Sequence, residues 1–226
     1  MNTVIILAII GICFQRTFIS VEHKEQYVAA DILKGMAALM FVIIGFMGYS
    51  SVSTNDFGLK IVIGLIFGMI GDIVMNLRFV LKDGAGQKAF LAGIFAFLIG
   101  HVLYLAALIP LTGHLVVCII IGAIIAAGLL AYIFKTMDVK KAFKIFGIFY
   151  LGAVIIMTVI ALDIAFFCPT THNVVYAVGA VLFTASDIIL IFNTFSGTTK
   201  YSLRFANLTL YYFGQLAIAL SLFYLN

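Results

Sequence analysis

Apolar runs long enough to cross a bilayer recur along the whole chain, and only short polar breaks separate them. A helix of about 20 apolar residues spans the hydrocarbon core of a bilayer. Charged residues make up 10% of the 226 residues, whereas a soluble domain carries about a quarter. The sequence therefore predicts one all-α transmembrane domain over residues 1–226, and it leaves no room for a soluble domain or a nucleic-acid module.

The polar breaks divide the chain into the segments of a predicted eight-helix bundle. The helices are expected at 2–21, 27–49, 59–80, 87–110, 114–134, 142–165, 172–195 and 203–225. Charged, Ser, Thr, Gly and Pro residues between these segments favour turns. The weakest break lies at Pro110, where the fourth and fifth helices nearly fuse.

The thirteen Lys and Arg residues are unevenly distributed among the loops. Most lie at the loops after the first, third, fifth and seventh helices, whereas the intervening loops hold only Lys60. Because short cytoplasmic loops retain positive charge, both termini are predicted to face away from the cytoplasm. The protein is expected to be a multipass integral membrane protein, in the cell membrane if the source is bacterial.

A weak internal repeat links the third and seventh helices. Gly64 and Gly179 each precede an acid, Asp72 and Asp187, by eight residues. The helix after each acid carries a glycine at nearly the same distance from it. Parallel repeats with a central site occur in membrane proteins, so the spacing suggests two parallel four-helix halves.

Two acids lie deep inside predicted membrane helices. An ionisable side chain at the centre of such a helix costs at least about 2.5–3.5 kcal/mol. Asp72 and Asp187 lie about 9 Å and about 12 Å from the helix ends that carry the basic loops, and no two bases match them. Three more polar side chains reach the same level, and His101 lies deeper, at about 20 Å. The three are Lys34, Tyr211 and Tyr212.

Some of these residues also have purely structural interpretations. Asp31 and Lys34 are spaced i, i+3 and can form an ion pair at a helix end. His101 and Tyr104 have the same spacing and can form a hydrogen-bonded pair between helices. Tyrosines are common anchors at membrane interfaces. The two acids are therefore the strongest functional candidates.

Two buried carboxyl groups can divide acid and base roles. Close carboxyl groups share a proton, so one is neutral and donates while the other stays ionised and accepts. Glycoside hydrolysis uses this division to protonate a leaving group and to stabilise an oxocarbenium ion. Cleavage of an enol ether by water needs the same parts. In a membrane, a lipid is the natural substrate for such a site.

A set of spaced motifs resembles the YhhN family of multipass membrane proteins, which includes the lysoplasmalogenases. The motifs are Gly64-Leu65-Ile66-Phe67 up to Gly71-Asp72, Phe97-x3-His101-x2-Tyr104, Gly179 up to Ser186-Asp187-x2-Leu190, and Tyr211-Tyr212-x2-Gln215. The resemblance runs from the second to the eighth helix. It implies hydrolysis of the vinyl-ether bond of lysoplasmalogen to a fatty aldehyde and a glycerophospho-base.

The resemblance also implies roles for residues of this chain. Asp72 and Asp187 would be the catalytic acid/base pair, and no organic cofactor would be needed. No metal ligand is predicted at the site. Lys34 would lie near the substrate phosphate. The substrate-binding residues implied in full are Lys34, His101, Tyr104, Ser186, Tyr211, Tyr212 and Gln215. The implied partners are a lysophospholipid and the bilayer. No nucleic acid is expected as a partner, and no protein partner is inferred.

Three other classes of function stay open at this stage. The two acids could bind protons or cations in an ion-coupled transporter, in which Gly68 and Gly71 would unwind the third helix. A zinc-dependent lipid hydrolase would need about three protein ligands, and His101 is the only histidine deep in a helix. A receptor or structural role is the third alternative.

Overall fold

A computed structural model of the protein describes residues 2–51, 56–82 and 84–225. Over these residues the chain is helical between its turns, and eight helices are long and apolar enough to cross a membrane. The helices are α1 (Asn2–His23), α2 (Tyr27–Ser51), α3 (Asp56–Asn76), α4 (Ala85–Leu108), α5 (Leu115–Thr136), α6 (Lys141–Phe167), α7 (Thr171–Phe195) and α8 (Tyr201–Ser221). The predicted all-α, multipass membrane architecture is confirmed.

The helix ends differ from the predicted ones by only a few residues. The largest shifts are at the ends of α3 and α8, which stop at Asn76 and Ser221, four residues before the predicted ends, and continue into 3-10 turns. Helix α3 begins at Asp56 and runs without interruption across Gly68 and Gly71. The unwinding that a transporter site would use is therefore not present in α3. At the weakest break, the 3-10 turn Ile109–Leu111 ends α4, because proline has no N–H to continue a helix.

The packing of the first four helices is repeated by the last four. Helix α2 contacts α1, α3 and α8, and its counterpart α6 contacts α5, α7 and α4. Each of these contacts has its equivalent when α1–α4 are matched in order to α5–α8. Since four crossings return the chain to the same side of the membrane, the halves run parallel. The structure thus supports the two parallel four-helix halves that the spacing of the acids suggested.

Glycines let the backbones approach closely in the corresponding pairs α3/α4 and α7/α8. A Cβ on Gly100 would lie 3.0 Å from the carbonyl oxygen of Gly64, and a Cβ on Gly214 would lie 2.9 Å from that of Gly179. Small residues at helix interfaces are the usual means of close packing in membranes. These contacts hold the acid-bearing helices α3 and α7 tightly against α4 and α8.

The close contact between Gly179 and Gly214 predicts that a larger side chain at position 214 destabilises the protein. We expect Gly214→Ala to lower stability by about 1–3 kcal/mol, because the new methyl group meets the backbone of Gly179 and Phe183, which cannot rotate away. Thermal unfolding in detergent micelles measures the effect. Gly152→Ala is the matched control, since a Cβ there has no neighbour within 4 Å. Equal unfolding temperatures for the two variants would contradict the close contact.

Candidate active site

A buried cavity of about 30 Å³ lies where six of the eight helices meet, and α1 and α5 contribute nothing to its wall. Such a volume holds about two water molecules. Its polar lining residues are Lys34, Asp72, Tyr150, Ser186, Asp187, Arg204, Asn207 and Tyr211, and its apolar ones are Met75, Ile94, Phe97, Leu190 and Leu208. Both acids singled out in the sequence thus face one cavity.

The Asp72 carboxyl group has a cation of its own. The Lys34 ammonium lies 3.0 Å from its Oδ1, and the Tyr211 hydroxyl donates to its Oδ2 at 2.7 Å. Asp72 is 2% exposed and Lys34 3% exposed. The structure therefore supplies a matching base that the sequence argument did not find, and the ion pair of Lys34 is with Asp72 rather than with Asp31. The Lys34 ammonium thus has the Asp72 carboxylate as its ion-pair partner.

The Asp187 carboxyl group has no such counter-ion. Its Oδ2 accepts a hydrogen bond of 2.5 Å from the Tyr150 hydroxyl, and the residue is 4% exposed. Within residues 2–51, 56–82 and 84–225, no Lys, Arg or His nitrogen lies within 4.0 Å of it. The two acids therefore share one cavity but differ in charge compensation.

The two acids differ in charge compensation although the two halves of the bundle repeat each other. In the first half α2 presents Lys34 to the acid of α3, and in the second half α6 presents Tyr150 to the acid of α7. The two donors come from corresponding helices. The arrangement of helices around the two acids is thus repeated. An ammonium group in one half is replaced by a phenol in the other, and this makes the site electrostatically asymmetric.

A short chain of hydrogen bonds links Tyr211 to two residues outside the cavity. The Tyr104 hydroxyl donates to Oε1 of Gln215 at 3.1 Å, and Nε2 of Gln215 lies 3.5 Å from the Tyr211 hydroxyl. Neither Tyr104 nor Gln215 lines the cavity. The geometry therefore gives them a positioning role for Tyr211, and through it for Asp72.

Three polar residues of the cavity wall, Tyr150, Arg204 and Asn207, were missed in the sequence, where Arg204 counted only as a loop cation. Tyr150 lies in an apolar run, where an aromatic residue cannot be told from one that only packs in the core. Only its position in the repeat could have identified it as a site residue. Asn207 donates from Nδ2 to the carbonyl oxygen of Ser186 at 2.9 Å and to its Oγ at 2.8 Å. Asn207 therefore ties α8 to α7 one residue before Asp187.

Besides Tyr104 and Gln215, two further residues expected in the pocket lie away from it. The Nδ1–H of His101 donates to the carbonyl oxygen of Phe97 at 2.8 Å, because a carbonyl can only accept. The Tyr212 ring packs toward Phe41, with ring centroids 6.1 Å apart. Neither His101 nor Tyr212 lines the cavity. Of the expected residues, the cavity brings together Lys34, Asp72, Ser186, Asp187 and Tyr211.

Fold and site together define a multipass membrane protein whose helices enclose a pair of carboxyl groups in a small buried cavity. Among the described residues, no group of three or more His, Cys, Asp and Glu side chains could hold a metal ion. The sequence model of the YhhN family matches residues 29–222, and the chain belongs to the YhhN family. No curated protein and no solved structure matches the chain.

Proposed function

We propose that the protein is a lysoplasmalogenase-type ether hydrolase that cleaves the vinyl-ether bond of a lysoplasmalogen. The observation that carries the proposal is the pair of carboxyl groups on one cavity, of which only one has a cation. Membership of the YhhN family, which matches most of the chain, supports this class of reaction. A lipid substrate fits a site enclosed by membrane-spanning helices.

The unequal partners of the two acids assign their roles. Asp72 is the ionised group, because Lys34 balances its charge and Tyr211 donates to it. A carboxylate at Asp187 would be buried without a cation, which costs several kcal/mol, so Asp187 carries the proton. Asp187 is therefore the proton donor, and Asp72 is the carboxylate that stabilises positive charge.

The reaction then runs in three steps. Asp187 gives its proton to the alkene carbon remote from the ether oxygen, and the electron pair of the double bond forms the new C–H bond. The resulting oxocarbenium ion faces the Asp72 carboxylate, and water adds to its carbon while a water proton returns to Asp187. The hemiacetal then breaks its bond to the glycerol oxygen, which takes the hydroxyl proton, and aldehyde and alcohol leave.

The cavity must widen to admit the substrate. Its volume of about 30 Å³ holds water molecules but no alkenyl chain. Met75, Ile94 and Leu190 form part of its apolar wall. These side chains carry no hydrogen-bonding groups, so their rearrangement costs no hydrogen bond and an apolar chain can enter against them.

Hydrolysis in deuterium oxide tests the proposed route. Purified protein in detergent is given lysoplasmalogen, and aldehyde is measured by mass spectrometry. We expect fatty aldehyde with one deuterium on the carbon next to the carbonyl, because the proton from Asp187 is added there. The saturated ether analogue should not react, since it has no alkene to protonate. If the folded wild-type protein releases no aldehyde, the proposed function is ruled out.

The parallel repeat favours ion-coupled transport as the second candidate, because transporters of this architecture hold their sites between the repeats. The same protein reconstituted in liposomes distinguishes the two functions. A proton or solute flux that Asp72→Asn abolishes, together with no aldehyde release, would establish transport. Aldehyde release without flux supports the hydrolase.

A further inference from the structure

A second, larger cavity adjoins the cavity of the two acids. It has a volume of about 490 Å³ and lies at the bundle end formed by the connections after α1 and α7. Leu190 and Arg204 line both cavities, so the two are neighbours. We call the larger one the vestibule.

The vestibule carries an excess of positive charge. Its ionised lining residues are Glu22, Glu25, Arg78, Lys200 and Arg204. Arg204 is engaged by Glu22, which accepts from its Nη2 at 2.6 Å and its Nε at 2.9 Å. With His23 neutral, Arg78 and Lys200 therefore face a single further carboxylate, that of Glu25. The balance leaves one positive charge, which equals the negative charge of a phosphodiester.

Aromatic rings hold the Arg78 guanidinium in place. Its Cζ lies 4.3 Å from the ring centroid of Phe90 and 4.6 Å from that of Phe79. Arg204 also lies over Phe79, at 5.9 Å. In the described part of the chain, no carboxylate lies within 4.0 Å of Arg78. A guanidinium stacked on rings keeps its N–H fork free, and that fork matches a phosphate.

We propose that the vestibule binds the head group of the lysophospholipid, with Arg78 and Lys200 on its phosphate. This inference rests on the proposed hydrolase function. It moves the phosphate away from Lys34, whose ammonium is bound to Asp72. Phosphate recognition by the vestibule would then orient the substrate so that its alkenyl chain points into the smaller cavity.

The spacing of the two sites fits such a substrate. Arg78 follows Asp72 by six residues, which corresponds to about 9 Å along a helix. In a lysoplasmalogen, about seven covalent bonds join the protonated alkene carbon to phosphorus, a distance of about 9 Å when extended. A lipid with its phosphate at Arg78 therefore reaches the carboxyl groups with its vinyl ether.

Kinetics with two substrates test the assignment. Full-length wild type and Arg78→Gln are assayed with lysoplasmalogen and with 1-alkenylglycerol, which has the same vinyl ether but no phosphate. For Arg78→Gln we expect kcat/KM to fall at least about tenfold with lysoplasmalogen, since a charged hydrogen bond is lost, and to stay unchanged with alkenylglycerol. Arg78→Lys should recover part of the loss, because it restores the charge without the fork.

Lys82→Gln is the matched control, because Lys82 is a nearby exposed cation that does not line the vestibule. It should behave as wild type with both substrates. An equal loss on both substrates in Arg78→Gln would show a structural role and overturn the proposal. An unchanged kcat/KM with lysoplasmalogen would overturn it as well.

A binding measurement separates this proposal from the proposed reaction. Glycerophosphoethanolamine and inorganic phosphate are added to detergent-purified protein, and the unfolding temperature is recorded. We expect glycerophosphoethanolamine to raise it in wild type and Lys82→Gln but not in Arg78→Gln. This shift would hold even if no aldehyde were formed. The head-group assignment would be overturned if inorganic phosphate raised the unfolding temperature and glycerophosphoethanolamine did not. It would also be overturned if neither compound raised the unfolding temperature of wild type.

Discussion

Asp187→Asn is expected to lower the rate of aldehyde release by about 10²–10⁴-fold, the range of a lost general acid, while the protein stays folded. The amide has the same shape as the carboxyl group and can accept the hydrogen bond that the Tyr150 hydroxyl donates to Oδ2. It cannot release a proton to the alkene carbon. The loss should therefore appear in kcat, with the unfolding temperature close to that of wild type.

A matched acid makes the comparison specific. Asp138 is exposed in the connection between α5 and α6, so Asp138→Asn removes one carboxylate without touching the cavity. Both variants are assayed with lysoplasmalogen after their unfolding temperatures have been measured. Turnover of Asp187→Asn equal to that of Asp138→Asn would remove Asp187 from the mechanism.

Lys34→Met is expected to destabilise the protein strongly. It leaves the Asp72 carboxylate, which lies 3.0 Å from the Lys34 ammonium, buried without a cation. Breaking a buried pair on one side costs about 3–5 kcal/mol. Asp72→Asn should cost a similar amount, because it leaves the ammonium unpaired instead. Both variants should also lose activity, since the charge that stabilises the oxocarbenium ion is absent or unbalanced.

The double variant Lys34→Met/Asp72→Asn separates stability from catalysis. It removes both charges, so most of the lost stability should return, whereas aldehyde release should not. A double-mutant cycle from thermal unfolding in detergent gives the coupling between the two residues. Additive destabilisation in the double variant would show that the two groups do not form an ion pair in the membrane protein.

The hydrophobic pattern was sufficient to predict the eight helices, because hydrocarbon forces every backbone polar group into helical hydrogen bonds. The break predicted at Pro110 was also confirmed, for the local reason that proline has no N–H with which to continue a helix. The acids at Asp72 and Asp187 were also found in the sequence, because a carboxyl group within an apolar run is costly enough to stand out. Both acids also lie within the sequence motifs that resemble the YhhN family.

The partners of these acids were decided only by the tertiary structure. Lys34 could have paired with Asp31 one helical turn away, and instead it pairs with Asp72 on the next helix. Tyr150 looked like packing in its apolar run and yet donates to Asp187. Local spacing describes one helix face, whereas contacts between helices depend on how the helices rotate and approach through their glycines. The sequence by itself thus identified the two acids of the cavity, and the packing of the two halves determined which of them has a cation.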